Sequence, residues 1–379
     1  MTNISMTERG ALSVDQMNQQ VSRFPSYRAH ALAPGEKFSS EVKKLWGGRM
    51  TSLMANPATQ GRFAKASLSC PPTACTGTLV LEAGGRSFAW RNPQAIENLF
   101  CIDGSVVVAY GPDLADTIEL GSWDMVSIPH DVRHEIRNTS VSAARLVIML
   151  SIAPDADYTA TFGVEALDVV GEEAITALNV GFDTDKGITI TPELLAGRIT
   201  RFESLVPYKK DLNRTGGLPP EATMRLSAGS VFPLIVPEGH IGRSRTAPMY
   251  GNQGLYVSIA ECKASEDGPP SHAHSDTQES FYVLDGSFDI CTGLDNESVV
   301  RLNANDLIAV PNKVMRTFRN TSGKPARLLV IIQGPDRMQD TVSYSSSIGQ
   351  ELRECFGEDI IAKYAEVRMT FDAEERLVV

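Results

Sequence analysis

From Leu79 onward, short apolar runs alternate with turns rich in Gly, Asp and Pro. The segments are TLVLEAGG (78–85), ENLFCIDGSVVVAYGPD (97–113), SWDMVSIPHDVRHEIRNTS (122–140) and ARLVIMLS (144–151). Runs of four to eight residues at this spacing predict strands, and a series of them predicts an all-β sandwich or barrel. The end of the chain reads differently. Leu352, Cys355, Phe356, Ile360, Ile361 and Tyr364 approximate one helical face, interrupted at Gly357, which predicts two short helices. Residues 172–177 and 192–195 also read as short helices.

The apolar pattern occurs twice. Sliding the chain by 182 residues places Glu97 on Glu279 (279 − 97 = 182), and Asp103-Gly104 on Asp285-Gly286. Asp124 falls on Asp306, Pro129 on Pro311, Val132 on Val314, Arg137-Asn138 on Arg319-Asn320, and Arg145-Leu146 on Arg327-Leu328. No gap is needed from Glu97 to Leu150. A fixed period that aligns turn residues with turn residues and apolar with apolar is the signature of an internal repeat. The chain therefore carries two copies of one β-domain, and its 379 residues suffice for two domains of ordinary size.

Composition narrows the class. Hydrophobic residues are 42% and charged residues 21%, as in a globular protein. A net charge of −11 argues against nucleic acid or an anionic membrane surface as partner. No run approaches 18 apolar residues, and MTNISMTERGALSVDQ lacks a signal-like apolar core, so a cytoplasmic protein is expected. Six cysteines are too sparse for a disulfide framework, and Cys70 and Cys75 lack a second pair at zinc-site spacing.

Candidate chemistry concentrates between Gly268 and Asn320. His272 and His274 are one residue apart, so on a strand they face the same side. Glu279 follows five residues after the second His. Two imidazoles and a carboxylate suit a first-row transition metal and leave coordination positions open.

Gly268, His272, His274, Glu279 and Gly286 follow G-x3-H-x-H-x4-E-x6-G, which resembles the first motif of the cupins. The second cupin motif is matched by Pro311 and Asn320. Lys313 stands where Gly is usual, and Arg316 where the fourth metal ligand, a His, is usual. In the first copy the four ligand positions hold Trp90, Asn92, Glu97 and His134. That set is a poor metal site. The first barrel reads as structural, with Trp90 filling the space, His134 a hydrogen-bonded interior residue, and His130 exposed on a turn.

The resemblance implies two tandem jelly-roll barrels (double-stranded β-helices) with short C-terminal helices, and an oligomer of two or more copies. The expected organisation is an N-terminal arm over 1–40, a first cupin domain with a degenerate site over 41–154, and a linker with short helices over 155–217. A second cupin domain with the metal-site candidate spans 218–340, and a helical segment 341–379. Arginine cannot ligate a metal. A guanidinium about 5 Å from a divalent ion is repelled by roughly 6 to 7 kcal/mol at an effective dielectric of about 20. Two arrangements avoid that cost. Arg316 grips a substrate carboxylate while His272, His274 and Glu279 hold the ion, or Arg316 pairs with Glu279 and no metal binds.

Arg243 and Arg245 share a strand face and add anion-binding capacity if that face is inward. Tyr282 and Phe281 point to opposite sides, and the sequence leaves open which lines the cavity; Tyr282 is kept as a substrate contact. His240 reads as a surface residue. The resemblance implies an enzyme: a dioxygenase-type oxidoreductase using Fe(II), with Mn, Ni, Cu or Zn as alternatives, on a small carboxylate-bearing molecule, aromatic or not. The other readings are a metal-dependent lyase, decarboxylase or isomerase, and a non-catalytic small-molecule binding protein.

Overall fold

The structure, a computed structural model, describes residues 10–24, 38–64, 66–207, 217–240, 247–251, 254–334 and 340–376. The chain forms two compact units, one of residues 25–205 and one of residues 1–24 with 206–379. Each is a jelly-roll barrel.

In the first unit a seven-stranded sheet runs Ile199–Thr200, Met125–Ile128, Ile96–Asp103, Ala144–Ser151, Ala74–Leu81, Arg49–Ala55 and Leu68–Ser69. A three-stranded sheet is formed by Glu135–Arg137, Val106–Tyr110 and Asp116–Leu120. In the second unit the larger sheet runs Val21–Ser22, Leu307–Val310, Gln278–Val283, Ala326–Gln333, Leu255–Cys262, Ser230–Val236 and Met249–Tyr250. The other has six strands: Ser298–Asn303, Ser287–Thr292, Arg316–Asn320, His272–His274, Val342–Tyr344 and Met369–Thr370. Alternation explains the core. Phe281, Phe288, Ile290, Phe318, Leu328 and Val330 meet inside the second barrel, each from a strand whose alternate residues point away.

The repeat extends into the hydrogen-bond register. Leu150 pairs with Glu97, and Ile332 with Glu279. Trp90 bridges His134, and His272 pairs with Arg316. Phe162 pairs with Trp90, and Tyr344 with His272. The strand Ala160–Gly163 thus closes the first barrel although it lies beyond residue 154, where the apolar pattern suggested a linker. Its parallel neighbour Val180–Asp183 joins the same small sheet.

A second, shorter repeat accompanies the barrels at an offset of 178. Ser13 caps the helix Val14–Gln19, and Thr191 caps Pro192–Ala196; each side chain accepts a bond from a first-turn amide. The strands Val21–Ser22 and Ile199–Thr200 follow and pair with Leu307–Val310 and Met125–Ile128. Arg23 and Phe24 then bond to Asp306, as Arg201 and Phe202 bond to Asp124. Residues 10–24 therefore complete the edge of the second barrel, while residues 191–202 complete the first.

The C-terminal helices Ser346–Phe356 and Asp359–Glu366 form where expected. Leu352, Ile360 and Tyr364 pack with Leu226, Tyr344, Met369 and Phe371, while Cys355 is exposed. Helix Glu172–Leu178 also forms. Among the described residues, no helix is long and apolar enough to cross a membrane.

Candidate metal centre

His272 and His274 lie on the short strand His272–His274, and Glu279 on Gln278–Val283, one turn further on. All three are buried. Their ligating atoms converge: Glu279 Oε2 is 3.5 Å from His272 Nε2 and 3.6 Å from His274 Nε2. The outer nitrogens fix which way each ring faces. His272 Nδ1 lies 3.0 Å from the Pro270 carbonyl, which can only accept, so Nδ1 carries the proton and Nε2 the lone pair. His274 Nδ1 lies 2.5 Å from a carboxylate oxygen of Asp340, with the same consequence.

Two imidazole lone pairs thus face carboxylate lone pairs, and Glu279 Oε2 is buried without a hydrogen-bond partner. A donor or a cation between them relieves that arrangement: a proton on an imidazole, a water, or a metal ion. Burial lowers the pKa of His272, although Glu279 opposes the shift, so the ring resists taking the proton itself. Burial alone would raise Glu279, yet positive charge beside it, on His272 or His274 when protonated and on Arg316, outweighs burial and holds the carboxyl at about 2, ready as an anionic ligand. The donor set fits a divalent transition ion, with both histidines held by outer hydrogen bonds as metal-ligating histidines are.

Arg316 is 0% exposed and sits behind this group. Its Nη2 donates to the Pro311 carbonyl at 2.6 Å, and its Nε is 4.0 Å from Glu279 Oε2; Nε and Nη1 have no hydrogen-bond partner. It does not line the cavity, so it is not placed to grip a substrate carboxylate. Its register places it on the same inward face as His272, with which it pairs across adjacent antiparallel strands, so its guanidinium packs beside Glu279 and is tied to the Pro311 carbonyl.

The triad lies at one side of a cavity of about 170 Å³. Much of the wall is apolar, including Val231, Ala260, Phe318, Val330, Ile332 and Met369. Polar atoms come from Ser227, His240, Tyr256, Ser258 and Thr277. His240, expected on the surface, is half-buried and lines this cavity, its ring 6.0 Å from that of Tyr256. Tyr282 does not line it. Alternation on Gln278–Val283 sends Glu279 and Phe281 inward, and the Tyr282 hydroxyl bonds Asn305 instead at 3.1 Å. Arg243 and Arg245 lie outside the described residues.

Asp340 is the residue the motif did not reveal. It stands 66 positions from His274, and no spacing rule connects them.

The equivalent place in the first barrel is closed by charge pairing. Glu97 accepts from Trp90 Nε1 at 2.9 Å and from Asn92 Nδ2 at 2.5 Å, and His134 Nε2 lies 3.2 Å away. His134 Nδ1 bonds the Val132 carbonyl, and His130 is exposed. The cation is Arg62, fully buried, which bonds Glu97 and lies 5.4 to 5.8 Å from the rings of Trp46, Phe63 and Trp90. Trp90 shares the space with this guanidinium rather than filling it alone. Burial pushes Glu97 up, but Arg62, with His134 and Asn92, brings it down to about 2.

Residues 259–332 match the family model of the cupin domain. Comparison of the chain with curated proteins gave no match. Among solved structures, vicilin from Corylus avellana (hazelnut) superimposes with a TM-score of 0.50 at 13% identity, covering 83% of this chain and 86% of that one. The 11S globulin from Wrightia tinctoria gives 0.50 at 12% identity, covering 85% and 90%. A salicylate 1,2-dioxygenase from Pseudaminobacter salicylatoxidans gives 0.49 at 14%, covering 88% and 86%. At these identities the likeness concerns the fold. Residues 259–332 thus carry a cupin domain in which His272, His274 and Glu279 come together, and the chain as a whole has a fold of two jelly-roll barrels like that of the hazelnut vicilin.

Proposed function

We propose that the second barrel holds a divalent transition metal, iron(II) in the first instance, on His272, His274 and Glu279. On this reading the protein is an oxidoreductase of the dioxygenase type. The observation that carries it is the convergence of two imidazole lone pairs and an orphaned carboxylate oxygen at the wall of an apolar cavity. When bound, an ion on such a set supplies open coordination positions for substrate and oxygen. Manganese, nickel, copper and zinc are the alternatives.

The chain's own residues do the rest. Val231, Ala260, Val330 and Ile332 exclude water and receive an apolar body. A cavity of about 150 Å³ accommodates benzene. The volume here therefore favours a substrate of about one ring. His240, Tyr256 and Ser258 offer hydrogen bonds to a polar substituent. A carboxylate on the substrate loses the anchor expected in Arg316, whose guanidinium is directed at Glu279 and Pro311.

One observation favours a second reading. Arg316 stands close enough to Glu279 to serve as its counter-ion, as Arg62 serves Glu97, which would leave a metal-free small-molecule binding barrel. Elemental analysis of protein purified without chelator separates the two. Oxygen uptake by iron(II)-loaded protein with a panel of phenols and monocyclic aromatic acids then tests the reaction. Turnover without oxygen consumption would replace the dioxygenase by a lyase, decarboxylase or isomerase. Absence of metal after reconstitution would leave the binding reading.

A further inference from the structure

We infer that Asp340 is a positioning residue of this centre: its carboxylate holds His274 in the tautomer that turns the Nε2 lone pair toward the ion. The inference rests on the metal-centre reading. Every atom of Asp340 that can accept is committed. Oδ2 takes His274 Nδ1–H at 2.5 Å and Thr277 Oγ1–H at 2.5 Å. Oδ1 takes Ser275 Oγ–H at 2.8 Å and the Asp276 amide at 2.9 Å. With donors on both oxygens and 8% exposure, the carboxylate cannot rotate away.

Its donors are His274 and three of the four residues that fill the H-x4-E spacing, Ser275, Asp276 and Thr277, so the apparent spacer is the cradle for a distant carboxylate. The backbone locks the two segments together. Ser275 N donates to the Thr341 carbonyl at 3.0 Å, Thr341 N donates to Ser275 Oγ at 3.1 Å, and His274 pairs with Val342.

The two histidines are consequently unequal. His272 is backed by a neutral carbonyl and stacked on Tyr344, whereas His274 is backed by a full negative charge. A carboxylate behind an imidazole raises its basicity as a ligand and prevents ring inversion. The first barrel supports the assignment. Its register with the second is kept through Phe162 and Tyr344, and there the counterpart of His274 is Asn92 while that of Asp340 is Tyr158 (340 − 182 = 158). Histidine and carboxylate are missing together. Tyr158 turns to the Pro72 carbonyl instead.

The test is cobalt(II) titration of the metal-free full chain, followed by visible absorption, for the wild type, Asp340→Asn and Asp340→Glu. The wild type should bind one ion. Asp340→Asn should bind about 10- to 100-fold more weakly with an altered spectrum, and Asp340→Glu should recover part of the loss. Nitrogen-15 histidine NMR on the metal-free wild type should show His274 protonated at Nδ1, a readout that needs no variant to fold. Asp340→Asn binding within about threefold of wild type with an unchanged spectrum, against the expected loss, would overturn the role of Asp340 and leave the metal centre standing. His274 protonated at Nε2 would do the same. A wild type that binds no cobalt would remove the centre and this inference together.

Discussion

Arg62→Met tests whether the first barrel is held shut by a buried ion pair. Arg62 and Glu97 are both 0% exposed, and two of the guanidinium nitrogens have no hydrogen-bond partner. Removing one member of such a pair leaves an uncompensated charge, at a cost of about 3 to 5 kcal/mol. The folded Glu97 carboxyl is correspondingly held low, at about 2 against an ordinary 4.5, by Arg62 with His134 and Asn92 and against its burial. Removing both charges should be far milder, because the desolvation cost disappears with them. Arg62→Met/Glu97→Gln should thus recover at least half of what Arg62→Met loses.

The assay is urea unfolding followed by tryptophan fluorescence. All three tryptophans, Trp46, Trp90 and Trp123, lie in the first unit, so the signal reports that barrel alone. Because the folded carboxyl is depressed, its contribution is complete above about pH 4.5 and disappears as pH falls through about 2. Glu97→Gln should remove that acid-limb dependence. A loss below about 1 kcal/mol for Arg62→Met, or a double variant no more stable than the single one, would refute the buried-pair account.

Other expectations follow from the same geometry. His272→Ala should lose stoichiometric metal by elemental analysis while the tryptophan-monitored transition stays put, since the residue lies in the other unit. Arg316→His exchanges a repelling cation for a third imidazole, the fourth ligand, and should tighten cobalt(II) binding by roughly tenfold or more; unchanged affinity would show that Arg316 does not oppose the ion. Asn138 and Asn320 each donate to three carbonyls, of Leu81, Glu82 and Ser142 and of Cys262, Lys263 and Lys324. Asn138→Ala should therefore destabilise the first barrel by about 2 to 3 kcal/mol in urea titration, and near-neutrality would mean that water replaces the amide.

The fold was largely legible because a barrel strand announces itself by alternation and turns, and because the pattern is written twice. The 182-residue offset carried over from letters to hydrogen-bond register, down to the pairs Glu97 with Leu150 and Glu279 with Ile332. The shorter repeat in residues 13–24 and 191–202 is faint in the sequence, since its signal is a cap, two strand residues and an Arg-Phe pair rather than an apolar run. Strand Ala160–Gly163 is hidden for a related reason: Ala-Thr-Phe-Gly is too short and mixed to stand out without its partner Trp90–Arg91.

The sequence by itself determined which side chains form the centre. His272, His274 and Glu279 are close in the chain, and strand period and turn length constrain them locally. Only the tertiary structure decided what surrounds them. Arg316 is directed at Glu279 and Pro311, His240 turns inward from a loop, and Tyr282 bonds Asn305 because its strand turns Glu279 and Phe281 to the core instead. A shift of one residue reverses that face. Asp340 and Arg62 lie still further from prediction. Each reaches its partner from a loop or turn tens of residues away, and a hydrogen bond between distant segments leaves no periodic trace in either one.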